Sequence, residues 1–326
     1  LGAGAWGTAI ANLLAKNQKR KIFLWAFENK VVKDINLKKI NHSYLAKIKL
    51  NENIKAINKF DKTSFHYIFV VVPSQFVFDI VKKFIDTQPK SEKKNLSLVI
   101  CSKGFDLKKK LLLSDVLKPL CSLNRIAVMS GPSFAKLVAE GKPTAVTVAS
   151  KNLTLAKKVR NLLINKNFRV YINNDFIGVQ INGAIKNILA IAAGITEGLG
   201  YGENARAAII SRGLQEIEKV SRAFGGNRLT TLGLSGVGDI ILTCTSVSSR
   251  NYAFGFLIGK GRKKNQILKS KKTITEGVEN VRALYLIKRK YNLDTPILDS
   301  VYKILVKDYP VKSIVSYLLS GPLKTE

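Results

Sequence analysis

Histidine and cysteine are scarce in this chain, and their scarcity excludes several kinds of active site. Its 326 residues include two histidines, His42 and His66, and three cysteines, Cys101, Cys121 and Cys244. With so few imidazoles, histidine-based catalysis is not expected. The cysteines are odd in number, scattered and without a CxxC motif, which predicts free thiols in a reducing cytoplasm. We therefore expect neither a disulfide framework nor a bound metal.

Long uninterrupted apolar runs are also absent. A membrane-spanning helix needs roughly 18 or more consecutive apolar residues, and no such run occurs here. The nearest approach, from Phe176 to Thr196, is interrupted by Gln180, Asn182, Lys186 and Asn187. The start of the sequence also lacks the pattern of a signal peptide. A hydrophobic content of 46% therefore predicts a folded protein without integral membrane segments.

Acidic residues are heavily outnumbered by basic ones. The chain has 22 Asp and Glu against 54 Lys and Arg, a formal net charge of +32. The basic residues are mostly lysines spread along the whole chain, and they do not alternate with aromatic residues as in RNA-binding modules. We therefore interpret the charge as a compositional bias and expect no nucleic-acid function. A positive field does favour a small anionic substrate.

Two long segments each contain a single charge. From Phe176 to Thr196 the only charge is Lys186, and from Leu229 to Ser249 it is Asp239. Burying an unpaired charge is unfavourable by several kcal/mol, and desolvation lowers the pKa of a lysine toward the range useful for proton transfer. Two isolated charges of opposite sign suggest a shared site. A purely structural buried ion pair is the alternative.

A glycine-rich loop opens the sequence. Gly2, Gly4 and Gly7 form a GxGxxG motif that is followed by a helical pattern and then by a strand candidate, Lys21–Trp25. In a βαβ unit, these glycines allow a tight turn, close approach to a pyrophosphate and helix–strand packing, and the helix N-terminus attracts the phosphates. The strand before the loop is nearly absent, as is an initiator methionine. We therefore expect that a few N-terminal residues are missing from this sequence.

Alternating apolar patterns predict further strands in the first half of the chain. The candidates are Tyr67–Val72, Leu96–Cys101, Arg125–Met129, Thr144–Ala149 and Phe168–Ile172. Helical patterns such as Phe76–Ile85 and Leu153–Ile164 alternate with them. This order predicts a largely parallel, doubly wound sheet.

Strand patterns end near Phe176, and helical periodicity dominates the second half. It is clearest in Glu203–Ala223, Val278–Lys290 and Ile297–Val306. The sequence therefore predicts an α/β protein with two domains. Residues 1–175 would form a Rossmann-like dinucleotide-binding domain, and residues 176–326 an all-α domain for substrate binding and catalysis.

Several longer motifs, in this order, resemble those of the bacterial-type NAD(P)-dependent glycerol-3-phosphate dehydrogenases over nearly the whole chain. The motifs are GAGAWGTA at Gly2–Ala9, VPSQ at Val72–Gln75, SKGF at Ser102–Phe105, SGPSFA at Ser130–Ala135, GKPTAV at Gly141–Val146, GAIKNILAIAAG at Gly183–Gly194, GLSGVGDIILTCTS at Gly233–Ser246, SRN at Ser249–Asn251 and TEGV at Thr275–Val278. The resemblance implies reversible reduction of dihydroxyacetone phosphate to sn-glycerol 3-phosphate with NADH or NADPH, and thus a supply of precursor for glycerophospholipid synthesis.

The resemblance also implies roles for individual residues. Lys186 would be the catalytic acid and base, and Asp239 would orient it. Arg250 would grip the substrate phosphate together with its neighbour Asn251. The implied substrate-binding residues are Lys103, Gly131, Ser133, Lys186, Asn187, Asp239, Ser249, Arg250 and Asn251.

Each of these residues also has a simpler interpretation. Lys103 would be an exposed loop lysine, and Arg250 a member of a surface ion pair. Gly131 and Ser133 would only form a turn. Asn187 would be a buried amide that bonds to the backbone.

For the cofactor, the resemblance implies contacts from residues in six parts of the chain. These are Gly2, Gly4, Ala5, Trp6, Gly7, Phe27, Lys103, Ala135, Arg250, Ile274 and Glu276. Phe27 stands where many relatives have an arginine that would pair with the 2′-phosphate of NADP, and Ala5 where many have serine. Glu28 favours a free ribose hydroxyl and therefore NAD. Lys30 or Lys33 could still supply the missing charge, so the choice between NAD and NADP stays open.

Two other interpretations remain open from the sequence alone. One is another nicotinamide-dependent dehydrogenase, of the β-hydroxyacid type, and the other is a non-catalytic dinucleotide-binding protein. A third possibility, peripheral attachment to anionic membranes through the lysines, is compatible with enzyme activity. By analogy with the family, we expect a cytoplasmic homodimer.

Overall fold

The computed structural model describes residues 1–61, 63–270 and 276–312, and its strands lie in the first half of that part of the chain. The strands are β1 (Ile22–Trp25), β2 (Ile40–Asn41), β3 (Leu45–Lys49), β4 (Ile54–Ile57), β5 (Tyr67–Val70), β6 (Ser97–Ile100), β7 (Ile126–Ser130), β8 (Thr144–Ser150) and β9 (Phe168–Asn173). Strands β5 to β9 form one sheet in sequence order, β1 pairs with β4, and β2 forms a hairpin with β3. All neighbours in the five-stranded sheet are parallel except β7 and β8.

Leu1 and Gly2 connect the β1–β4 pair to the five-stranded sheet. The backbone of Leu1 accepts a hydrogen bond from Val71 N at 2.8 Å, and its amino group donates to Phe69 O at 2.7 Å. Gly2 N donates to Trp25 O, at the end of β1, at 3.0 Å. The chain therefore enters the glycine loop between β1 and β5.

Helices cover both faces of the five-stranded sheet. The helices of the first half are α1 (Ala5–Gln18), α2 (Asn29–Lys38), α3 (Val77–Thr87), α4 (Lys90–Lys93), α5 (Leu113–Leu117), α6 (Ala135–Ala139) and α7 (Leu153–Leu163). Successive residues of β6 and β7 point to opposite faces. Val99 and Ala127 pack in the same core as α1 and α7, whereas Leu98 and Ile126 pack with α3 and α5. The predicted doubly wound α/β domain is thus confirmed.

The second half of the described chain is helical. Its helices are α8 (Phe176–Gly198), α9 (Gly202–Ala223), α10 (Arg228–Leu232), α11 (Asp239–Cys244), α12 (Arg250–Gly259), α13 (Lys264–Ser270), α14 (Glu276–Lys290) and α15 (Pro296–Val306). A single π-helical turn, Leu234–Gly238, joins α10 to α11. The predicted all-α second part is confirmed, and the predicted helices agree with α8, α9, α14 and α15 to within a few residues.

The long helix α8 forms the centre of the helical part. It is long and apolar enough to cross a membrane, but 94% of its most apolar 18-residue window is buried inside the protein. Glycines bring α12 against it: a Cβ on Gly194 would lie 2.1 Å from Tyr252 O, and one on Gly255 would lie 2.2 Å from Ile191 O. The single lysine of α8 is therefore held in a tightly packed helical core.

Three strands were not predicted from the sequence. Strands β2, β3 and β4 span two to five residues each, and several of their positions are lysines or asparagines. Such short segments do not show enough alternation to be recognised without their partners. The antiparallel pairing of β8 with β7 was also not predicted, because buried strands have the same apolar pattern in both pairings.

Candidate active site

Lys186 and Asp239 meet in the interior. Lys186 lies in the middle of α8, and its Nζ donates a hydrogen bond to Asp239 Oδ1 at the start of α11. The side chains are only 8% and 1% exposed. The two isolated charges of the sequence therefore form one buried ion pair, as their opposite signs suggested.

Lys103 adds a second ammonium to the same carboxylate. Its Nζ lies 2.7 Å from Asp239 Oδ2, and its side chain is 16% exposed. The simpler interpretation of Lys103 as an exposed loop lysine is therefore wrong. Two cations and one anion give the cluster Lys103–Lys186–Asp239 a net positive charge.

The pKa values of this charged cluster follow from burial and from the charges around it. Burial lowers the pKa of Lys186 to about 8, with the Lys103 ammonium adding to the effect and Asp239 opposing it. Burial alone would raise the pKa of Asp239, but the two ammonium groups outweigh it and lower that pKa. For Lys103, the carboxylate of Asp239 outweighs burial and raises the pKa. Of the two lysines in the cluster, Lys186 is thus the one that loses its proton more easily.

Two hydroxyl groups also contact the cluster, and neither was predicted from the sequence. Thr243 Oγ1 accepts a hydrogen bond from Lys186 Nζ at 3.0 Å, and Ser130 Oγ lies 3.4 Å from Asp239 Oδ2. Thr243 follows Asp239 by four residues, so both lie on one face of α11, a spacing that could have identified it. Ser130 is brought near by Gly183 of α8, because a Cβ there would lie 3.1 Å from Ser130 Oγ.

The cluster lies at the carboxyl edge of the sheet, beside the glycine loop. Ser102 and Lys103 follow β6, and Ser130 ends β7. Ser102 Oγ donates to Val72 O at 2.5 Å, just after β5, and a Cβ on Gly2 would lie 3.0 Å from the Val72 side chain. Ligands of open α/β sheets bind outside the carboxyl ends of the strands.

The glycine loop fits the pyrophosphate of a dinucleotide. Gly2 has a φ of +104°, which favours glycine, and a Cβ on Gly7 would lie 1.9 Å from Gly2 O. Helix α1 begins at Ala5 with no side-chain cap and no acidic residue in its first turn. Its first N–H groups therefore remain available to an anion. Trp6 and Ala135 both pack against the core next to this loop.

Two further predicted cofactor residues, Phe27 and Glu276, lie at the ends of other elements. Phe27, just after β1, is 83% exposed. Its neighbour Glu28 accepts a hydrogen bond from the Tyr44 hydroxyl at 2.6 Å. Glu276, at the start of α14, accepts one from Asn187 Nδ2 at 3.1 Å, so that amide bonds to a side chain rather than to the backbone. Ile274 lies outside the described residues.

The SRN motif forms the start of α12. Ser249 caps the helix, and its Oγ accepts from Tyr252 N at 3.3 Å. Asn251 Oδ1 accepts from Gly277 N at 3.0 Å. Arg250 is exposed, and its guanidinium forms no hydrogen bond or ion pair with another described residue. Of the three residues, Ser249 and Asn251 are buried and Arg250 is exposed.

Gly131 and Ser133 form a tight turn after β7. Gly131 has a φ of +142°, and a Cβ on it would lie 2.9 Å from Val146 Cα. Ser133 Oγ donates to Gly131 O at 3.0 Å. These contacts account for both residues as turn residues, and a role in substrate binding stays a prediction.

The fold and the site define a class of protein. A doubly wound sheet with a glycine loop, joined to a helical domain that supplies a buried lysine, is the architecture of a nicotinamide-dinucleotide-dependent dehydrogenase.

Comparisons with known proteins identify the family. The N-terminal model of the NAD-dependent glycerol-3-phosphate dehydrogenases matches residues 1–156, and the C-terminal model matches residues 175–316. The NAD(P)+ glycerol-3-phosphate dehydrogenase of Bacillus subtilis (strain 168) is 41% identical over 325 residues, which cover 98% of this chain and 93% of that protein. The chain therefore belongs to the NAD-dependent glycerol-3-phosphate dehydrogenase family.

Solved structures agree with this assignment. The crystal structure of glycerol-3-phosphate dehydrogenase from Coxiella burnetii has a TM-score of 0.92 and 35% sequence identity, and covers 98% of this chain and 97% of its own. D-mandelate dehydrogenase with NADH has a TM-score of 0.64 over 96% of this chain, but at 12% identity it shows the fold alone. The predicted family, enzyme class and nicotinamide cofactor are confirmed.

Proposed function

We propose that this enzyme reversibly reduces dihydroxyacetone phosphate to sn-glycerol 3-phosphate with NADH or NADPH, and that Lys186 transfers the proton. The observation that carries the proposal is the buried Lys186 ammonium on Asp239, next to the dinucleotide loop, with its pKa lowered to about 8 by burial. A group with a pKa near the working pH can both give and take a proton.

The protein's own residues would act mainly through charge and position. A bound nicotinamide dinucleotide supplies or accepts the hydride. In reduction, Lys186 gives its Nζ proton to the substrate oxygen, and in oxidation it takes that proton back. Asp239 holds the Nζ in place, with Thr243 fixing its direction from the same helix. The positive charge of Lys103 favours negative charge developing on the substrate oxygen.

The direct test measures nicotinamide absorbance after mixing the enzyme with dihydroxyacetone phosphate. NADH and NADPH are run in parallel, and dihydroxyacetone without phosphate serves as the substrate control. Oxidation of either cofactor that depends on the substrate phosphate would support the proposal. Folded protein that oxidises neither cofactor would contradict it. The ratio of the two rates gives the preference between NADH and NADPH, which we expect Phe27 and Glu28 to influence.

Arg250→Ala is expected to raise the KM for dihydroxyacetone phosphate by about 30-fold or more, with a smaller change in kcat. We propose that the exposed guanidinium grips the substrate phosphate, and losing one such charged hydrogen-bonded contact weakens binding by about 2 kcal/mol or more. Arg228→Ala, at the exposed start of α10, is the matched control. Steady-state kinetics measure KM and kcat for the two variants. An unchanged KM in Arg250→Ala would contradict the proposal that Arg250 binds the substrate phosphate.

We also propose that the enzyme is a homodimer that works in the cytoplasm, without integral membrane segments, and supplies glycerophospholipid synthesis. Four apolar side chains of the helical part are each more than half exposed: Leu229, Leu232, Ile241 and Val247. Apolar surface of this kind supports association of two copies. All three cysteines are free thiols, which supports a reducing compartment.

Light scattering is expected to give about twice the chain mass of 36.0 kDa. Charging the proposed surface with Leu229→Glu and Val247→Glu together should reduce that mass to one chain. Leu37→Glu, on the equally exposed Leu37 of α2, is the control and should leave the mass unchanged. A monomeric unmodified enzyme at micromolar concentration would contradict the dimer.

A further inference from the structure

Asn280 of α14 reaches out of the helical domain to the loop that carries Lys103. The residue is completely buried. Its Oδ1 accepts a hydrogen bond from Phe105 N at 3.3 Å, and its Nδ2 donates to Lys103 O at 3.5 Å. One amide therefore contacts the backbone on both sides of Gly104, more than 170 residues earlier in the chain.

Gly104 makes this contact possible. Its φ of +131° lies in the range that favours glycine, and a Cβ on it would lie 2.4 Å from Asn280 Oδ1 and 2.6 Å from its Nδ2. Any side chain at position 104 would therefore push the loop away from the amide. The backbone of the loop is placed directly against Asn280.

The first turns of α14 also contact two other parts of the site. Glu276 accepts a hydrogen bond from Asn187, the residue after Lys186. Gly277 N donates to Asn251, the residue after Arg250. Since Glu276, Gly277 and Asn280 lie within five residues of one helix, the helix aligns three separate segments of the site.

We infer that Asn280 is a positioning residue that fixes the Lys103 ammonium on Asp239 by holding the backbone of its loop. The inference rests on the proposed function, because it assigns Lys103 a part in setting the proton affinity of Lys186. Asn280 touches none of the reacting groups, and it acts through Lys103 alone.

The consequence is a change in the pH dependence of the reaction. The charged and titratable groups around Lys186 are Asp239 of α11, Lys103 of the loop and the Cys244 thiol, with Glu276 acting on Lys103. Burial keeps the Cys244 thiol protonated by raising its pKa. If the loop moves, Lys103 no longer repels the Lys186 proton, and Asp239 holds that proton more strongly. Lys186 then loses its proton only at higher pH.

The test is the pH profile of kcat for oxidation of sn-glycerol 3-phosphate, the direction that needs unprotonated Lys186. Asn280→Ala is expected to move the rising limb of this profile upward by about one pH unit. A shift of this size is typical when a like charge moves away from a nearby titrating group, here the Lys103 ammonium from Lys186. Lys103→Met should move it in the same direction. The double variant should show no shift beyond that of Lys103→Met, because Asn280 acts only through Lys103.

Two controls separate positioning from a loss of packing. Asn12→Ala removes another buried asparagine that accepts a backbone hydrogen bond, from Asn51 N at 2.9 Å, and it should leave the profile in place. Gly104→Ala disturbs the same contact from the loop side and should shift the profile even if Asn280→Ala folds poorly. Gly141→Ala is its control, since Gly141 also has a positive φ, +77°, but open space around it.

Profiles of Asn280→Ala and Gly104→Ala that coincide with the unmodified enzyme would overturn the inference. A shift in the double variant larger than that of Lys103→Met would also overturn it, because Asn280 would then act through another group. These failures leave the proposed function intact. That function would fail separately if Lys186→Met retained full turnover.

Discussion

Lys186→Met is expected to lower kcat in both directions by about 10²- to 10⁴-fold, the usual effect of losing a general acid or base. Methionine has nearly the length and shape of the lysine stem, so the apolar packing of α8 should persist. The glycine loop lies outside this contact, and the affinity for NADH should therefore stay nearly the same. Steady-state kinetics and nicotinamide fluorescence titration measure the two quantities.

A matched control distinguishes the loss of this proton donor from the loss of any lysine. Lys157→Met, on the exposed face of α7, should leave kcat unchanged. The residual rate of Lys186→Met should also lose the pH dependence centred near the pKa of about 8 that burial gives Lys186. Turnover in Lys186→Met comparable to that of the unmodified enzyme would rule out the mechanism.

Asp239→Asn is expected to abolish most of the activity and to lower the free energy of unfolding by about 3–5 kcal/mol at pH 7. The substitution keeps the shape of the side chain but leaves two buried ammonium groups without their counter-charge. Without that carboxylate, nothing opposes the burial that lowers the pKa of Lys186, so less of the proton donor is charged at pH 7 and reduction is slowed.

The stability loss should depend on pH in a definite direction. In Asp239→Asn, burial without the opposing carboxylate should hold the pKa of Lys186 below its ordinary value of 10.5, so that the unfolded chain binds more protons than the native state. Stability should therefore rise as the pH increases toward that value. Urea unfolding at pH 7 and at pH 9 measures this change.

Two further variants complete the test of Asp239. Asp308→Asn changes an exposed carboxylate that pairs with Lys264 at 3.3 Å, and it should alter stability by less than about 0.5 kcal/mol. The double variant Lys186→Met with Asp239→Asn should be more stable than Asp239→Asn alone, because it no longer buries the Lys186 amine without its counter-charge. Asp239→Asn with undiminished stability at pH 7 would show that the carboxylate is not the counter-charge of the cluster.

Much of the architecture could be predicted from the sequence because it depends on local patterns. The glycine loop at Gly2–Gly7 could be identified as a dinucleotide loop because the GxGxxG spacing is itself a local pattern. Likewise, the solitary Lys186 in an apolar helix identified a buried charge, since an unpaired ammonium is too unfavourable to bury without a partner. The family could be identified because several long motifs occur in the sequence in the expected order.

The partners of those residues depended on tertiary structure alone. Nothing near Lys103 in the sequence indicates that it shares the carboxylate of Asp239, because that contact forms where the loop after β6 meets the start of α11. The hydrogen bonds between Asn280 and the same loop also join residues that are far apart in the sequence. The roles of the predicted substrate and cofactor residues stay predictions, since they depend on where a ligand binds.

The sequence by itself thus determined the fold class, the family, the dinucleotide loop and the two isolated charges, because each is recorded in local composition and spacing. Only the tertiary structure decided which side chains surround Lys186, which lysine shares its carboxylate and which helix aligns the loop. The physical reason is that charge–charge interactions act through space over a few ångströms, whatever the separation of the residues along the chain.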